Sequence, residues 1–201
     1  PDFYRWSVDN PEEFWSSIWE WCGVIASRKG SIVLADGDKM PGAKWFPEAR
    51  LNFAENLLRR GDRGDALVFW DETGFRRRVS YADLYSEVSR AAQALKALGR
   101  RPGDRAAAFI PNMPETVVFA LAAISQGIVW SSCSPDFGTD GVLDRFGQIE
   151  PKVLFCADGY LYNGQRNDSL ARVREIAARL PSVRKVVVAP HLEARPDVSE
   201  I

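Results

Sequence analysis

Between Arg105 and Val188 the chain alternates short apolar runs with longer amphipathic ones, and that alternation leaves few folds open. The runs Arg105–Ile110, Ile128–Trp130 and Val153–Cys156 read as strands. Each passes into a loop (Pro111–Met113, Ser131–Gly138 and Ala157–Asn167) and then into a helix. Strands that alternate with helices imply right-handed crossovers and a mostly parallel sheet with flanking helices, an α/β fold. All three loops then share one edge of that sheet, the carboxyl edge, where open α/β sheets hold their ligands.

The intervening helices carry their own signals. Pro114 starts one that is apolar on most sides (Val117, Val118, Leu121, Ile124), so it is expected to be buried, and Gly127 ends it. Thr139 is a candidate cap for a helix bearing Val142, Leu143, Phe146 and Ile149. Asp168 or Ser169 opens another, with Leu170, Val173, Ile176 and Leu180, and Val186–Val188 reads as a last strand. Upstream, Ala66–Trp70 and Arg76–Val79 read as strands joined by the turn Asp71–Gly74. Ser80 with Asp83 resembles a capping box, and the stripe Leu84, Val88, Ala91, Leu95, Leu98 predicts a helix closed by Gly99.

Residues 1–60 differ in character and hold five of the seven tryptophans. Asn10, Pro11, Glu12 and Glu13 suit a helix start, with Phe14, Ile18 and Cys22 on one stripe and Trp15 and Trp19 on another. Such an aromatic face reads first as a docking surface onto a neighbouring domain, and second as a cofactor cage or peptide groove. Ala49–Arg59 carries a helical pattern. Gly61–Gly64 is the expected boundary, dividing a 1–60 aromatic, helical segment from a 61–201 α/β domain.

Bulk properties exclude more than they select. A net charge of −1 favours neither nucleic acid nor an acidic membrane. No apolar run approaches the ~20 residues of a membrane span. The three cysteines are scattered without metal-type spacing, which suits a reducing cytoplasm. Cys133 has no histidine partner in sequence, His191 sits in a polar tail, and Arg76–Arg78 reads as a solvated strand edge. Neither a catalytic constellation nor a convincing acid/base pair is visible.

In order and spacing, Val79–Leu84, the long helix to Gly99, Pro102-Gly-Asp104, Ile110–Glu115 and the helix into Gly127 resemble the adenylate-forming superfamily of acyl-CoA synthetases, luciferases and adenylation domains. The likeness covers roughly residues 62–190. Trp45–Leu58 looks like the leader of short-chain acyl-CoA synthetases. Trp130–Gly138 and Asp158–Gly164 look like the acetoacetate-activating branch, the acetoacetyl-CoA synthetases, rather than the acetate-activating one. The chain is then similar to the amino-terminal third of such an enzyme.

The resemblance implies a two-step ligase using ATP, CoA and Mg2+ on a small-molecule acid. Acetoacetate attacks the α-phosphorus of ATP to give an acyl-adenylate and pyrophosphate, and the CoA thiol then displaces AMP. The family's phosphate loop ending in lysine is absent here; Gly138-Thr-Asp-Gly141 has neither its spacing nor its lysine. A chain of this extent is therefore expected to be inactive alone, with ATP and Mg2+ bound mostly by other regions, and a sheet left without its neighbours is expected to make it self-associate. By the same resemblance, the loop after the third strand helps hold the nucleotide end of CoA, at positions matching Tyr162, Asn163, Gly164, Gln165 and Arg166. Ser131, Ser132 and Cys133 match a segment beside the pantetheine channel. Two alternatives stay open: a non-catalytic CoA- or nucleotide-binding or dimer-forming module, and a ligase for another short-chain acid.

Overall fold

The computed structural model describes residues 2–201. The chain forms two compact units, Pro1–Leu57 and Leu58–Ile201. In the first, α1 (Asp2–Asp9) and α2 (Pro11–Trp21) are followed by the two-residue strands β1 (Leu34–Ala35) and β2 (Lys44–Trp45) and by α3 (Phe53–Leu57). The aromatic residues are what this unit packs with. Phe3, Trp6 and Phe14 gather at centroid distances of 5.7–6.1 Å, and Trp19 lies 4.8 Å from Phe46. Phe14 meets Phe3 and Trp6 edge to face, which is favourable because positive edges meet negative faces, whereas the Phe3–Trp6 and Trp19–Phe46 pairs are tilted. The helix expected over Ala49–Arg59 is confined to α3. Upstream of it, Arg50 is drawn into extended pairing with Arg28, its N–H donating to the Arg28 carbonyl at 2.8 Å. Asn52 then caps α3, its Oδ1 accepting from Ala54 N at 2.9 Å.

The second unit opens with an antiparallel hairpin, β3 (Asp65–Asp71) and β4 (Gly74–Ser80), and continues into α4 (Tyr81–Ala97). Ser80 caps α4 as its spacing predicts, its Oγ accepting from Asp83 N at 3.1 Å and donating to the Asp83 carboxylate at 2.6 Å. After it come β5 (Arg105–Phe109), α5 (Pro114–Ser125), β6 (Val129–Cys133), α6 (Thr139–Ile149) and β7 (Val153–Ala157). A second hairpin, β8 (Gly159–Tyr162) and β9 (Gln165–Asp168), precedes α7 (Leu170–Arg179) and β10 (Lys185–Ala189). Four strands make one parallel sheet in the order β10-β7-β5-β6, as the alternation requires.

Burial follows position in that sheet. The inner strands β5 and β7 are buried almost throughout, whereas the edge strands β6 and β10 are not. Along β7 the side chains alternate between faces, as a pleated strand demands. Leu154 and Cys156 join Val142, Phe146, Val173 and Ile176 in a core with α6 and α7. Phe155 instead stacks on Phe119 of α5 at 4.4 Å.

Three expectations are corrected. β6 runs to Cys133, so Ser131–Cys133 is strand rather than loop; the register Ala107↔Ser131, Ala108↔Ser132, Phe109↔Cys133 overrides the weak strand propensity of serine. Thr139 is the first residue of α6, not its cap: Gly138 holds that position, and Thr139 Oγ1 turns to Glu175 at 3.2 Å. The stretch Ala157–Asn167 is the end of β7 plus most of the β8–β9 hairpin, folded about Asn163 (φ 51°) and Gly164 (φ 70°). Positive φ at both central residues is what a tight two-residue hairpin turn asks for, and Asn-Gly supplies it.

The core also sets a pH dependence. Burial, helped by the Asp158 charge, pushes the Cys156 thiol from 9.0 up to about 12. Folding therefore favours the protonated thiol, an advantage complete below the unfolded value and lost as pH rises toward about 12. Relative to Cys156→Ala, the protein should lose on the order of 1–2 kcal/mol of stability between pH 8 and pH 10.5 by urea unfolding. Equal pH responses of the two proteins would show that the thiol ionises freely in the fold.

Candidate functional site

Parallel strands deliver their carboxyl ends to one edge, and a cleft of about 460 Å³ lies there. Pro111 and Asn112 after β5, Ser134–Asp136 after β6, Tyr160–Tyr162 of β8 and His191 after β10 form its walls. The β3–β4 turn, Phe69–Glu72, supplies the remaining side.

Asp158 organises the wall beyond β7. It is only 2% exposed, yet its carboxylate accepts from His191 N at 2.7 Å, Leu192 N at 3.0 Å and Glu193 N at 2.7 Å. A buried carboxylate is tolerated only with such compensation. Gly159 follows because nothing larger fits: a Cβ there would stand 2.3 Å from Leu192 Cδ1 and 2.4 Å from the Asn167 carbonyl oxygen. The pinned segment sets His191 against Phe69, ring centroids 6.0 Å apart. His191 is thus half-buried in the cleft wall, which its polar sequence surroundings did not suggest.

The β3–β4 side is held by acid. Asp71 Oδ1 accepts from Thr73 N at 2.8 Å and Thr73 Oγ1 at 2.6 Å. Burial alone would push its carboxyl up, but Thr73, Arg76 and His191 together outweigh that and hold it below the usual carboxylate range. Arg76 Nε stands 2.7 Å from Asp71 Oδ2, an ion pair too poorly aligned to be a hydrogen bond. Arg77 pairs with Glu115 and Arg78 with Asp65, so the basic triplet is a half-exposed edge with acidic partners.

The five positions expected to meet a nucleotide lie together on the β8–β9 hairpin, but they face different surroundings. Tyr162 lines the cleft and is 68% exposed. The N–H groups of Asn163 and Gly164 donate to Glu72 at 2.8 Å each. Gln165 pairs across the hairpin with Tyr162. Arg166 points elsewhere, to the Leu192 carbonyl oxygen at 2.9 Å and the Glu193 carboxylate. Ser131 and Ser132 do not line the cleft, and Cys133 is buried at the end of β6. Burial pushes its thiol up against the opposing pull of Arg145, which leaves it a poor nucleophile. Among the described residues no group of three or more His, Cys, Asp or Glu could hold a metal ion, and no helix is long and apolar enough to cross a membrane.

Comparison with known proteins places this geometry. Residues 53–200 match the family described as AMP-binding enzyme, and residues 1–57 match the acetyl-coenzyme A synthetase N-terminus. The acetoacetyl-coenzyme A synthetase of Rhizobium meliloti is 52% identical over 92% of this chain and 28% of its own length. A malonamoyl-CoA synthetase of Penicillium aethiopicum is 38% identical over 93% of this chain and 27% of its own. Among solved structures, acetoacetyl-CoA synthetase from Streptomyces lividans superposes with a TM-score of 0.89 at 45% identity, covering 96% of this chain and 30% of that one. The chain thus spans about 30% of the length of the relatives it matches.

The clamp predicts a stability effect. Asp158→Ala leaves three backbone N–H groups without their acceptor and should cost about 3 kcal/mol in urea unfolding. Amide exchange should accelerate at residues 191–193 before it does in the sheet. Unchanged protection there would remove Asp158 from the account of the cleft.

Proposed function

The chain belongs to the family of AMP-binding enzymes, and from that premise we propose that it forms part of an acetoacetate–CoA ligase. The family uses ATP and CoA and acts on small-molecule acids. In the proposed reaction the acetoacetate carboxylate attacks the α-phosphorus of ATP, pyrophosphate leaves, and the CoA thiol then displaces AMP from the acyl-adenylate. Catalysis of such transfers rests on positioning and on stabilising charge around the phosphates. We read residues 1–60 as the leader and 61–201 as the first part of the AMP-binding domain. The observation that carries the proposal is the cleft itself: it stands at the carboxyl edge of the sheet, walled by the segments whose sequences resemble the acetoacetate-activating branch.

Within this reading the β8–β9 hairpin holds the nucleotide end of CoA. Tyr162 is free to stack on adenine, and the small Gly164 lets backbone approach a ligand. Asn163 and Gln165 flank that approach with polar groups. Arg166 can serve a phosphate only by giving up Glu193. Mg2+ finds no ready cluster among the described residues, so the metal is assigned to nucleotide phosphates and to side chains outside this stretch. A reducing cytoplasm suits the buried thiols Cys133 and Cys156. Self-association of the 201-residue piece is proposed through the edge strands β6 and β10, which carry ladder groups without a neighbouring strand.

One observation favours a second acid: the similarity to a malonamoyl-CoA synthetase. Acid-dependent pyrophosphate exchange and thioester formation by the protein as its gene encodes it should separate the two readings. We expect at least roughly tenfold higher kcat/KM for acetoacetate than for acetate or malonamate, about 1.4 kcal/mol of discrimination. Faster turnover of either competitor overturns the substrate assignment. The 201-residue chain alone should yield no thioester.

A further inference from the structure

The two hairpins at the cleft meet tip to tip through one side chain. Glu72 sits in the two-residue turn between β3 and β4, and its Oε1 accepts from Asn163 N while its Oε2 accepts from Gly164 N, both at 2.8 Å. In a tight hairpin turn with both central residues at positive φ, those two N–H groups lie beyond the strand pairing, and being exposed they bond either to water or to a side chain such as Glu72. A carboxylate with two oxygens matches two adjacent donors, and a charged acceptor makes the stronger bond. The turn that carries Glu72 is itself fixed by Asp71 accepting twice from Thr73. Phe69–Glu72 and Tyr160–Tyr162 are both walls of the cleft, so this contact ties one wall to another.

We infer that Glu72 is a positioning residue for CoA, latching the β8–β9 hairpin through the Asn163 and Gly164 N–H groups so that Tyr162 stands ready at the cleft. The inference rests on the reading that this hairpin holds the nucleotide end of CoA. Glu72 touches no reacting atom; it acts through the turn it grips. Its charge could also act in the opposite sense, repelling a ligand that carries several phosphates, within the ~8 Å reach of an unscreened field at physiological salt. The two effects have opposite signs, which makes the matter measurable.

The test compares wild type, Glu72→Gln and Glu72→Ala in the protein as its gene encodes it. Glu72→Gln keeps the shape but can accept only through its single carbonyl oxygen; Glu72→Ala accepts through neither. If Glu72 is the latch, KM for CoA rises about twofold in the first and about fivefold in the second, an exposed charged contact being modest in strength. The calorimetric Kd for CoA should rise in parallel, while kcat at saturating CoA and KM for ATP stay within about twofold. Unchanged or tighter CoA binding overturns the inference, the latter by showing that repulsion dominates. A common loss in kcat and in both KM values, with a lower melting temperature, also overturns it by reducing Glu72 to a general structural part. A wild-type protein that makes no CoA thioester sinks the ligase reading and the inference with it, whereas a working wild type with indifferent Glu72 variants sinks the inference alone.

Discussion

Everything at the cleft depends on two strands that are covered on both faces. Ala106, Ala107 and Ala108 of β5 and Val153–Ala157 of β7 are buried almost completely, with α6 and α7 packed on one face and α5 on the other. A parallel strand in this position cannot be shifted by one residue without exchanging its two sets of contacts. Leu154 and Cys156 would leave the α6–α7 core, and Phe155 would lose Phe119. The register of β7 therefore fixes where β7 ends, and with it the direction in which Asp158 leaves the sheet. The alanines of β5 contribute in another way: short side chains bring helices close to the sheet, so the strand is sealed rather than merely covered.

From that fixed end the cleft is assembled by polar groups rather than by further hydrophobic packing. Asp158 gathers three backbone N–H groups of the segment after β10, and Gly159 vacates the volume that Leu192 occupies. Glu72 gathers two more from the β8–β9 turn. These carboxylates differ in environment: Asp158 is buried and Glu72 exposed. Removing the first leaves donors stranded in a dry interior, whereas removing the second lets water replace it. One wall is thus part of the folded core, and the other is a contact that can be broken at low cost.

The contrast explains what the sequence could disclose. Periodicity reported the helices and inner strands because burial on defined faces is written in residue type. It failed where a partner elsewhere decided the conformation. Ser131 and Ser132 are strand only because β5 lies alongside, and Arg50 is extended only because Arg28 pairs with it. The β8–β9 hairpin was legible in principle: Asn163-Gly164 between Tyr160-Leu161-Tyr162 and a polar run is a strong local hairpin signal. The roles of Asp158, His191 and Glu72 were not, since each joins segments at least 33 residues apart. The five hairpin positions were singled out by resemblance alone, and no local pattern could have shown that Arg166 faces Glu193 while Tyr162 faces the cleft.

If the proposed CoA reading holds, the chemistry of the walls bears on how its nucleotide would lie. Asp71, Glu72 and Asp136 line the cleft alongside Phe69, Trp70, Tyr160 and Tyr162, and no lysine or arginine joins them. Asp71 remains anionic to low pH, because Thr73 and Arg76 favour its charged form against the pull of burial. Aromatic faces attract a flat, weakly polar ring, and carboxylates that Arg76 and the hairpin N–H groups only partly offset disfavour phosphate. An adenine base would therefore be drawn in against the tyrosines, and the phosphates would be turned outward, toward Arg166 or toward cations beyond these residues. Electrostatics here selects an orientation before it contributes much affinity.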